Sequence, residues 1–415
     1  MTDAFSLLFA AALTLTLCLK LWLGWRHIRH VSRHRIQVPA AFRDSITLEQ
    51  HRHAADYTVA KTRLSLLSAW VDTALIAAFT FGGGLQWLAV HSMQWFANPL
   101  SSGMALIVAV AVISSLVSLP FSLYGTFGIE SRYGFNKTTF ALFMADMVKG
   151  TLIGSAIGLP LLALVLWLME ISGPLWWLWV WLVWSGFQLL MVALYPTLIA
   201  PLFNKFKPLE DEALKARIEA LLQRAGFKSQ GVFVMDGSRR SSHGNAYFTG
   251  FGAAKRIVFF DTLLSQLSHA EIEAVLAHEL GHFKRRHIAK RIAMAFALSL
   301  ALLWLLGQLL HAPWFYAGLG VAAPSTAMAL ILFFTATPAF TFPLTPLSSR
   351  MSRVHEYEAD DFASEQTRAE DLVSALVKLY RDNASTLTPD PVHSAFYDSH
   401  PPAALRIQHL KGNQA

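Results

Sequence analysis

The sequence is poor in charged residues and has almost no cysteine. Only 15% of its 415 residues are Asp, Glu, Lys or Arg, whereas soluble globular chains contain about a quarter. A hydrophobic content of 54% excludes intrinsic disorder, which requires low hydrophobicity. Because Cys18 is the single cysteine, no intramolecular disulfide can form and a disulfide-rich scaffold is excluded. The composition therefore favours a membrane protein over an ordinary soluble enzyme.

Long apolar runs fill much of the chain. A helix needs about 20 predominantly apolar residues to cross about 30 Å of hydrocarbon. Runs near that length predict seven transmembrane spans: Phe5–Trp25, Leu64–Leu88, Met104–Tyr124, Thr151–Ile171, Leu175–Tyr195, Ile292–Leu310 and Ser325–Leu344. Pro338 and Pro343 predict a kink or an early end for the seventh span.

Lys and Arg are distributed unevenly between the segments that join these spans. Four segments contain 33 of the 34 Lys and Arg residues: 26–63, 132–149, 205–291 and 350–411. Three connections contain none: 89–103, 172–174 and 311–324. With seven spans, the four segments rich in Lys and Arg lie on one side of the membrane and the three connections without them lie on the other. The positive-inside rule then places the amino terminus outside and the carboxyl terminus inside. The basic charge is thus interpreted as a topological signal, and no nucleic-acid partner is predicted.

This topology divides the chain into membrane and inner-side parts. Residues 1–195 contain spans 1 to 5 with the inner loops 26–63 and 125–150, and residues 292–344 contain spans 6 and 7. The inner-side segments are 196–291 and 345–415. The first of these predicts an amphipathic helix at 209–225, short strands at 231–235, 245–249 and 256–260, and a further helix after them.

That further helix carries the sequence HELGH at residues 278–282. We expect it to begin at Ser268, with Glu271 at the spacing of a capping box. Two histidines four residues apart lie on one helix face, so His278 and His282 can bind one metal ion. Glu279 lies beside that ion, where it can accept a proton from water. HELGH therefore predicts a metal-dependent hydrolase.

A catalytic zinc needs a third protein ligand and an open position. Glu356 is the candidate, and Asp360, one helical turn later, can accept a hydrogen bond from a metal-binding imidazole. Two predicted spans separate Glu356 from His282, and an even number returns the chain to the same side of the membrane. His355 and Glu358 are competing ligands that the spacing does not exclude.

A histidine in the sequence SHPP, His400, is a further candidate. On the residues alone, a histidine in a turn bounded by prolines is more often structural than catalytic. Beside a metal ion it could donate a hydrogen bond to the oxyanion of a tetrahedral intermediate. Imidazole and carboxylate ligands favour zinc, and zinc with a glutamate base predicts hydrolysis of peptide bonds.

Several stretches together resemble the type I CAAX prenyl endopeptidases, which are integral-membrane zinc metalloproteases. The similarity extends over nearly the whole chain. The stretches that carry it are SRYGFNKTT at 131–139, YPTLIAPLFNKF at 195–206, SRRSSHGNAYF at 238–248, HELGH at 278–282, Ser352-Arg353 with Glu356 and Asp360, and SHPP at 399–402. HELGH alone is common to zinc peptidases, whereas the combination is specific.

The resemblance implies a role for each candidate residue. It implies one zinc ion bound by His278, His282 and Glu356, with Glu279 as the general base. It implies that His400 stabilises the oxyanion. It also implies an edge strand that pairs with the substrate backbone through Asn245, Ala246 and Tyr247.

The resemblance also implies the fold class. We expect a mainly α membrane protein whose seven helices enclose a water-filled chamber. A zincin-like α+β domain with a small β-sheet is expected on the inner side. The expected partners are the lipid bilayer and a peptide or protein substrate, prenylated or embedded in the membrane.

The sequence leaves more than one possibility for the natural substrate and for the cellular location. The compact chain shows no dilysine retrieval signal at its end, so we expect a bacterial inner-membrane protein with a cytoplasmic active site, or an endoplasmic-reticulum protein if the source is eukaryotic. One alternative function is a membrane quality-control metalloprotease of broad specificity. Another is a seven-helix transporter or receptor in which HELGH is incidental.

Overall fold

The chain folds into a bundle of long helices joined to a smaller helical domain with one β-sheet. The computed structural model describes residues 1–249 and 256–412. Within them, seven helical segments are long and apolar enough to cross a membrane. The predicted number of spans and the predicted fold class are confirmed.

Helices dominate the described residues. In chain order they are α1 (Thr2–His34), α2 (Leu48–Phe79), α3 (Gly84–Trp95), α4 (Pro99–Leu123), α5 (Phe140–Ile171), α6 (Trp176–Leu194), α7 (Ala200–Phe203), α8 (Glu212–Arg224), α9 (Asp261–Gln266), α10 (His269–Lys284), α11 (His287–Leu309), α12 (Pro313–Gly318), α13 (Thr326–Thr341), α14 (Thr345–Gln366), α15 (Ala369–Asp382), α16 (Pro391–Tyr397) and α17 (Ala403–Gly412).

The second span is shorter than predicted at its outer end. The sequence predicts it to continue to Leu88, but α2 ends at Phe79 and a separate helix, α3, follows. Gly83 has a left-handed φ of 72°, which L-residues with a side chain rarely adopt. The glycine run at 82–84 therefore turns the chain inside an apolar stretch that hydropathy alone cannot divide.

The seventh span ends early, as its prolines predict. α13 ends at Thr341, and a single 3₁₀ turn that contains Pro343 leads directly into α14. α13 is buried on most of its surface, including every residue from Ala327 to Phe333. This burial exceeds that of the other six candidate spans among the described residues, so α13 is the central span, and α14 follows at its carboxyl end.

Within the described residues, the β-sheet has four strands in the order β1-β2-β4-β3. They are β1 (Phe206–Pro208), β2 (Val232–Met235), β3 (Ala246–Thr249) and β4 (Arg256–Phe260). β2 and β4 are parallel, and the two outer pairs are antiparallel. The three predicted strands are confirmed, whereas β1 was not predicted because its three residues, one of them proline, carry no strand pattern.

The capping box of α10 forms as the sequence predicts. The Ser268 backbone N–H donates to Glu271 Oε2 at 2.7 Å, and the Glu271 N–H donates to Ser268 Oγ. One face of α10 is buried in the inner-side core through Leu276, Ala277 and Leu280. Since the start and the buried face of α10 are both determined, the direction in which HELGH points is determined as well.

Candidate metal centre and active site

The candidate metal centre lies where α10 crosses α14. A Cβ placed on Gly281 would lie 2.9 Å from Ala359 Cα and 3.2 Å from Phe362 Cβ. Only glycine fits at such a distance from backbone atoms. The glycine of HELGH therefore permits the approach that brings Glu356 to the two histidines.

The side chains of three residues converge at this crossing. His278 Nε2 lies 3.3 Å from His282 Nε2. Glu356 Oε2 lies 3.4 Å from His278 Nε2, and Glu356 Oε1 lies 3.4 Å from His282 Nε2. Ligands at about 2.0–2.1 Å from a tetrahedral zinc ion are separated by about 3.3–3.4 Å. Within the part of the chain that the structure describes, these three residues are the group suited to hold a metal ion.

Glu356 lacks the hydrogen bonds that a buried carboxylate normally makes. Its side chain is 2% exposed, and Oε2 has no hydrogen-bond partner among the described residues. A buried polar atom without a partner is costly, and coordination of a cation removes that cost. This oxygen and the chemistry of the donor set both fit a divalent metal ion.

Asp360 lies directly behind His278. His278 Nδ1 is 2.8 Å from Asp360 Oδ1, so the carboxylate orients the ring and leaves Nε2 free for a metal ion. Burial and Arg406 lower the pKa of His278, but the neighbouring carboxylates of Asp360 and Glu356 raise it overall. The imidazole of His278 is therefore held between two carboxylates.

Arg406 is a member of the site that the sequence did not predict. Its guanidinium donates to both oxygens of Asp360, through Nε at 2.8 Å and through Nη2. It also lies 3.8 Å from Glu356 Oε2. Arg406 comes from α17, and an arginine in a short amphipathic helix carries no sign that its partner lies 46 residues earlier.

The pKa shifts of Glu279 and His282 on α10 suit a metal hydrolase. Burial is the largest cause that raises the pKa of Glu279, which brings a carboxylate base closer to neutral pH. Burial and the neighbouring His278 lower the pKa of His282 to about 3. His282 is therefore a neutral imidazole, the form that binds metal ions.

The two competing ligands from the sequence are engaged elsewhere. Glu358 Oε2 lies 2.7 Å from His287 Nε2. The ring of His355 stacks on the His287 ring at 4.0 Å. Of the three acidic and histidine candidates on α14, Glu356 is thus the residue that reaches the two histidines of α10.

His400 lies at the border between the metal centre and a large cavity. Its Nε2 is 3.5 Å from Glu356 Oε2, and 61% of its side chain is exposed. The cavity has a volume of 860 Å³ and lies between α1, α2 and the segment 380–402. Polar side chains of the two spans line it, among them Lys20, Lys61 and Asp72. Two of the seven spans thus contribute polar side chains to a cavity that reaches His400.

The structure places Asn245, Ala246 and Tyr247 at the edge of the sheet. Asn245 immediately precedes β3, whose first two residues are Ala246 and Tyr247. β3 pairs with β4 on one side and is an outer strand of the sheet within the described residues. The outer edge of such a strand can add an extended peptide by backbone hydrogen bonds.

Gly281→Ala is expected to separate α10 from α14. The added methyl group would meet backbone atoms, and overpacking of this kind costs about 1–3 kcal/mol. We expect a lower unfolding temperature in detergent micelles and weaker metal binding in equilibrium dialysis. Gly154→Ala is the matched control, because nothing lies within 4 Å of its added Cβ. Equal behaviour of the two variants would contradict the close crossing.

Fold and site together define a multi-pass membrane protein with a metallopeptidase centre. The family model of the CAAX prenyl protease N-terminal region, with five membrane helices, matches residues 27–205. The model of peptidase family M48 matches residues 208–414. The chain belongs to the CAAX prenyl protease family of M48 metallopeptidases.

Similar proteins cover nearly the full length of the chain. A CAAX prenyl protease 1 homolog of Arabidopsis thaliana is 36% identical over 88% of each chain. CAAX prenyl protease 1 of Saccharomyces cerevisiae is 32% identical over 94% of this chain and 91% of its own. The crystal structure of S. mikatae Ste24p superposes with a TM-score of 0.91, at 31% identity, over 98% of this chain and 99% of that one.

These similarities decide between the alternatives of the sequence analysis. The resemblance to the CAAX prenyl endopeptidases is confirmed, and so is a peptidase activity. The interpretation as a transporter or receptor with an incidental HELGH is wrong, because the family is enzymatic and the histidines converge with Glu356.

Proposed function

We propose that this protein is a zinc-dependent endopeptidase that cuts peptide bonds near the carboxyl end of its substrates. The observation that carries the proposal is the convergence of His278, His282 and Glu356, whose donor atoms lie within 4.8 Å of one another. Two imidazoles and one carboxylate are a ligand set of catalytic zinc sites, which keep a fourth position open. A single zinc ion is therefore the expected cofactor.

The residues around the donors have distinct tasks in this proposal. When bound, zinc acts as a Lewis acid and makes water a better nucleophile. Glu279 accepts the proton of the attacking water and then donates it to the leaving amine. His400, exposed toward the cavity beside Glu356, donates a hydrogen bond to the developing oxyanion. Asp360 holds His278 in the tautomer that presents Nε2.

The proposed substrate is a protein with a prenylated CAAX-type carboxyl terminus. The support is the name CAAX prenyl protease 1 carried by similar proteins of Arabidopsis and yeast, together with a cavity that extends between membrane helices α1 and α2 to His400. The substrate backbone would pair with β3 at Asn245, Ala246 and Tyr247. The chain beyond the cut would then lie in the cavity.

We further propose that the active site faces the cytoplasm. The inner-side segments 196–291 and 345–415 form one catalytic unit in this proposal. Both segments are rich in Lys and Arg, which the positive-inside rule places in the cytoplasm. The host membrane is proposed to be the bacterial inner membrane, with the endoplasmic reticulum as the alternative if the source is eukaryotic. Labelling of single cysteines placed in loops 89–103 and 311–324 would test this topology in intact cells.

The experiment compares two fluorogenic peptides, one with a farnesylated CAAX terminus and one with an unprenylated internal sequence. The purified protein is tested with and without a chelator and after addition of zinc. Strong preference for the prenylated peptide, lost with the chelator, is the expected result. Comparable zinc-dependent cleavage of both peptides would contradict CAAX processing and support broad membrane proteolysis as the function. Cleavage that the chelator does not affect would overturn the zinc mechanism.

A further inference from the structure

A chain of hydrogen bonds extends from His282 away from the metal centre. His282 Nδ1 lies 3.0 Å from His287 Nδ1, and His287 Nε2 lies 2.7 Å from Glu358 Oε2. The His287 side chain is 1% exposed. These contacts lie on the opposite side of the His282 ring from Nε2, the nitrogen that faces His278 and Glu356.

The backbone turn between α10 and α11 places His287 next to His282 Nδ1. Arg286 has a left-handed φ of 57°, a conformation that residues with a side chain rarely adopt. This turn starts α11 at His287, only five residues after His282. His355 then stacks on the His287 ring at 4.0 Å and an interplanar angle of 13°. The ring is therefore held from two helices.

The donors and acceptors of the His282–His287 and His287–Glu358 hydrogen bonds follow from the use of His282 Nε2 for metal binding. If His282 presents the lone pair of Nε2, its proton lies on Nδ1 and can donate to His287 Nδ1. His287 then carries its own proton on Nε2 and donates it to Glu358. Each proton has one donor and one acceptor in this arrangement, and no other tautomer pair satisfies both contacts while Nε2 of His282 is free for the metal.

We propose that His287 and Glu358 are positioning residues that hold His282 in its metal-binding tautomer and orientation. The inference rests on the proposed zinc site. Asp360 does the same for His278 directly, at 2.8 Å, so each metal-binding imidazole has a carboxylate behind it. Partners of this kind change metal affinity by about 10–100-fold when they are removed.

The test measures zinc affinity of the full-length protein in detergent micelles by competition with a coloured chelator. His287→Leu removes the acceptor, whereas His287→Gln keeps a carbonyl oxygen that can accept from His282 Nδ1. We expect His287→Leu to lower the affinity about 10–100-fold and His287→Gln to recover most of the loss. Glu358→Ala is expected to lower it by a smaller factor. The visible spectrum of the Co²⁺-loaded protein should change in His287→Leu.

Two control variants remove the same groups at exposed positions. His311→Asn removes an exposed imidazole, and Glu365→Gln neutralises an exposed carboxylate on α14. Both are expected to bind zinc as the wild type does. Thermal unfolding of each variant without metal identifies any that fails to fold, and the comparison of Gln with Leu at position 287 is made between folded proteins.

The outcomes separate this inference from the proposed function. Equal zinc affinity of His287→Leu and wild type would overturn the inference while the zinc site stands. Equal loss in His287→Leu and His287→Gln would also overturn it, because ring packing on His355 would then be the cause. A wild-type protein that binds no zinc would overturn the proposed function itself.

Discussion

Glu279→Gln is expected to keep the bound metal and to lose hydrolysis. The glutamine has the size of the glutamate but cannot accept the proton of the attacking water, and loss of a general base lowers kcat by about 10²–10⁴-fold. The three donor residues are unchanged, so we expect one metal ion per chain, measured by mass spectrometry of the purified variant. Activity would be measured with the farnesylated peptide at saturating concentration.

The control for Glu279→Gln is the same substitution at Glu365, an exposed residue of α14. Full activity is expected there, since Glu365 lies outside the metal centre. Hydrolysis by Glu279→Gln at the wild-type rate would rule out this residue as the base. Loss of both metal and activity would instead show that Glu279 is needed to build the centre.

Arg406→Leu is expected to have the largest effect on stability. Arg406 and Asp360 form a bidentate pair in which Asp360 is fully buried and the Arg406 side chain is 7% exposed. Removing one partner of a buried ion pair leaves an uncompensated charge and costs about 3–5 kcal/mol. We expect a lower unfolding temperature in detergent micelles and weaker zinc binding, because the stranded carboxylate also holds His278.

Arg368→Leu is the matched control for this substitution. Arg368 is 77% exposed and lies 3.7 Å from Glu370, and exposed ion pairs contribute about 0–1 kcal/mol. The double variant Asp360→Asn with Arg406→Leu removes the stranded charge while keeping an acceptor for His278, so it should be more stable than Arg406→Leu alone. Equal losses for Arg406→Leu and Arg368→Leu would contradict the buried pair.

Local sequence patterns predict most of the membrane part and two of the three residues that converge at the metal centre. The length of an apolar run depends on neighbouring residues only, and six of the seven spans have about the predicted position. HELGH places two imidazoles on one face because the helix repeat is itself local. The predicted end of the second span, Leu88, lies beyond the end of α2 at Phe79. The reason is that the turn at Gly83 depends on backbone dihedrals, which hydropathy does not report.

Other parts of the site depend on contacts between residues far apart in the chain. A third histidine, His287, follows HELGH in the sequence, and this spacing was the one available signal for a further residue at the centre. The role of His287 depends on the turn at Arg286 and on the contact with Glu358, 71 residues later in the chain. No pattern within one segment predicts such a pairing.

The sequence by itself determined the class of protein, the number of spans and the helix that presents His278 and His282. Only the tertiary structure decided that Glu356 joins them, while His355 and Glu358 pack against His287, and that Arg406 neutralises Asp360. The physical reason is that periodicity and capping act over one or two helical turns. The approach of α14 to α10 depends instead on packing at Gly281, where a missing Cβ sets the distance between two helices.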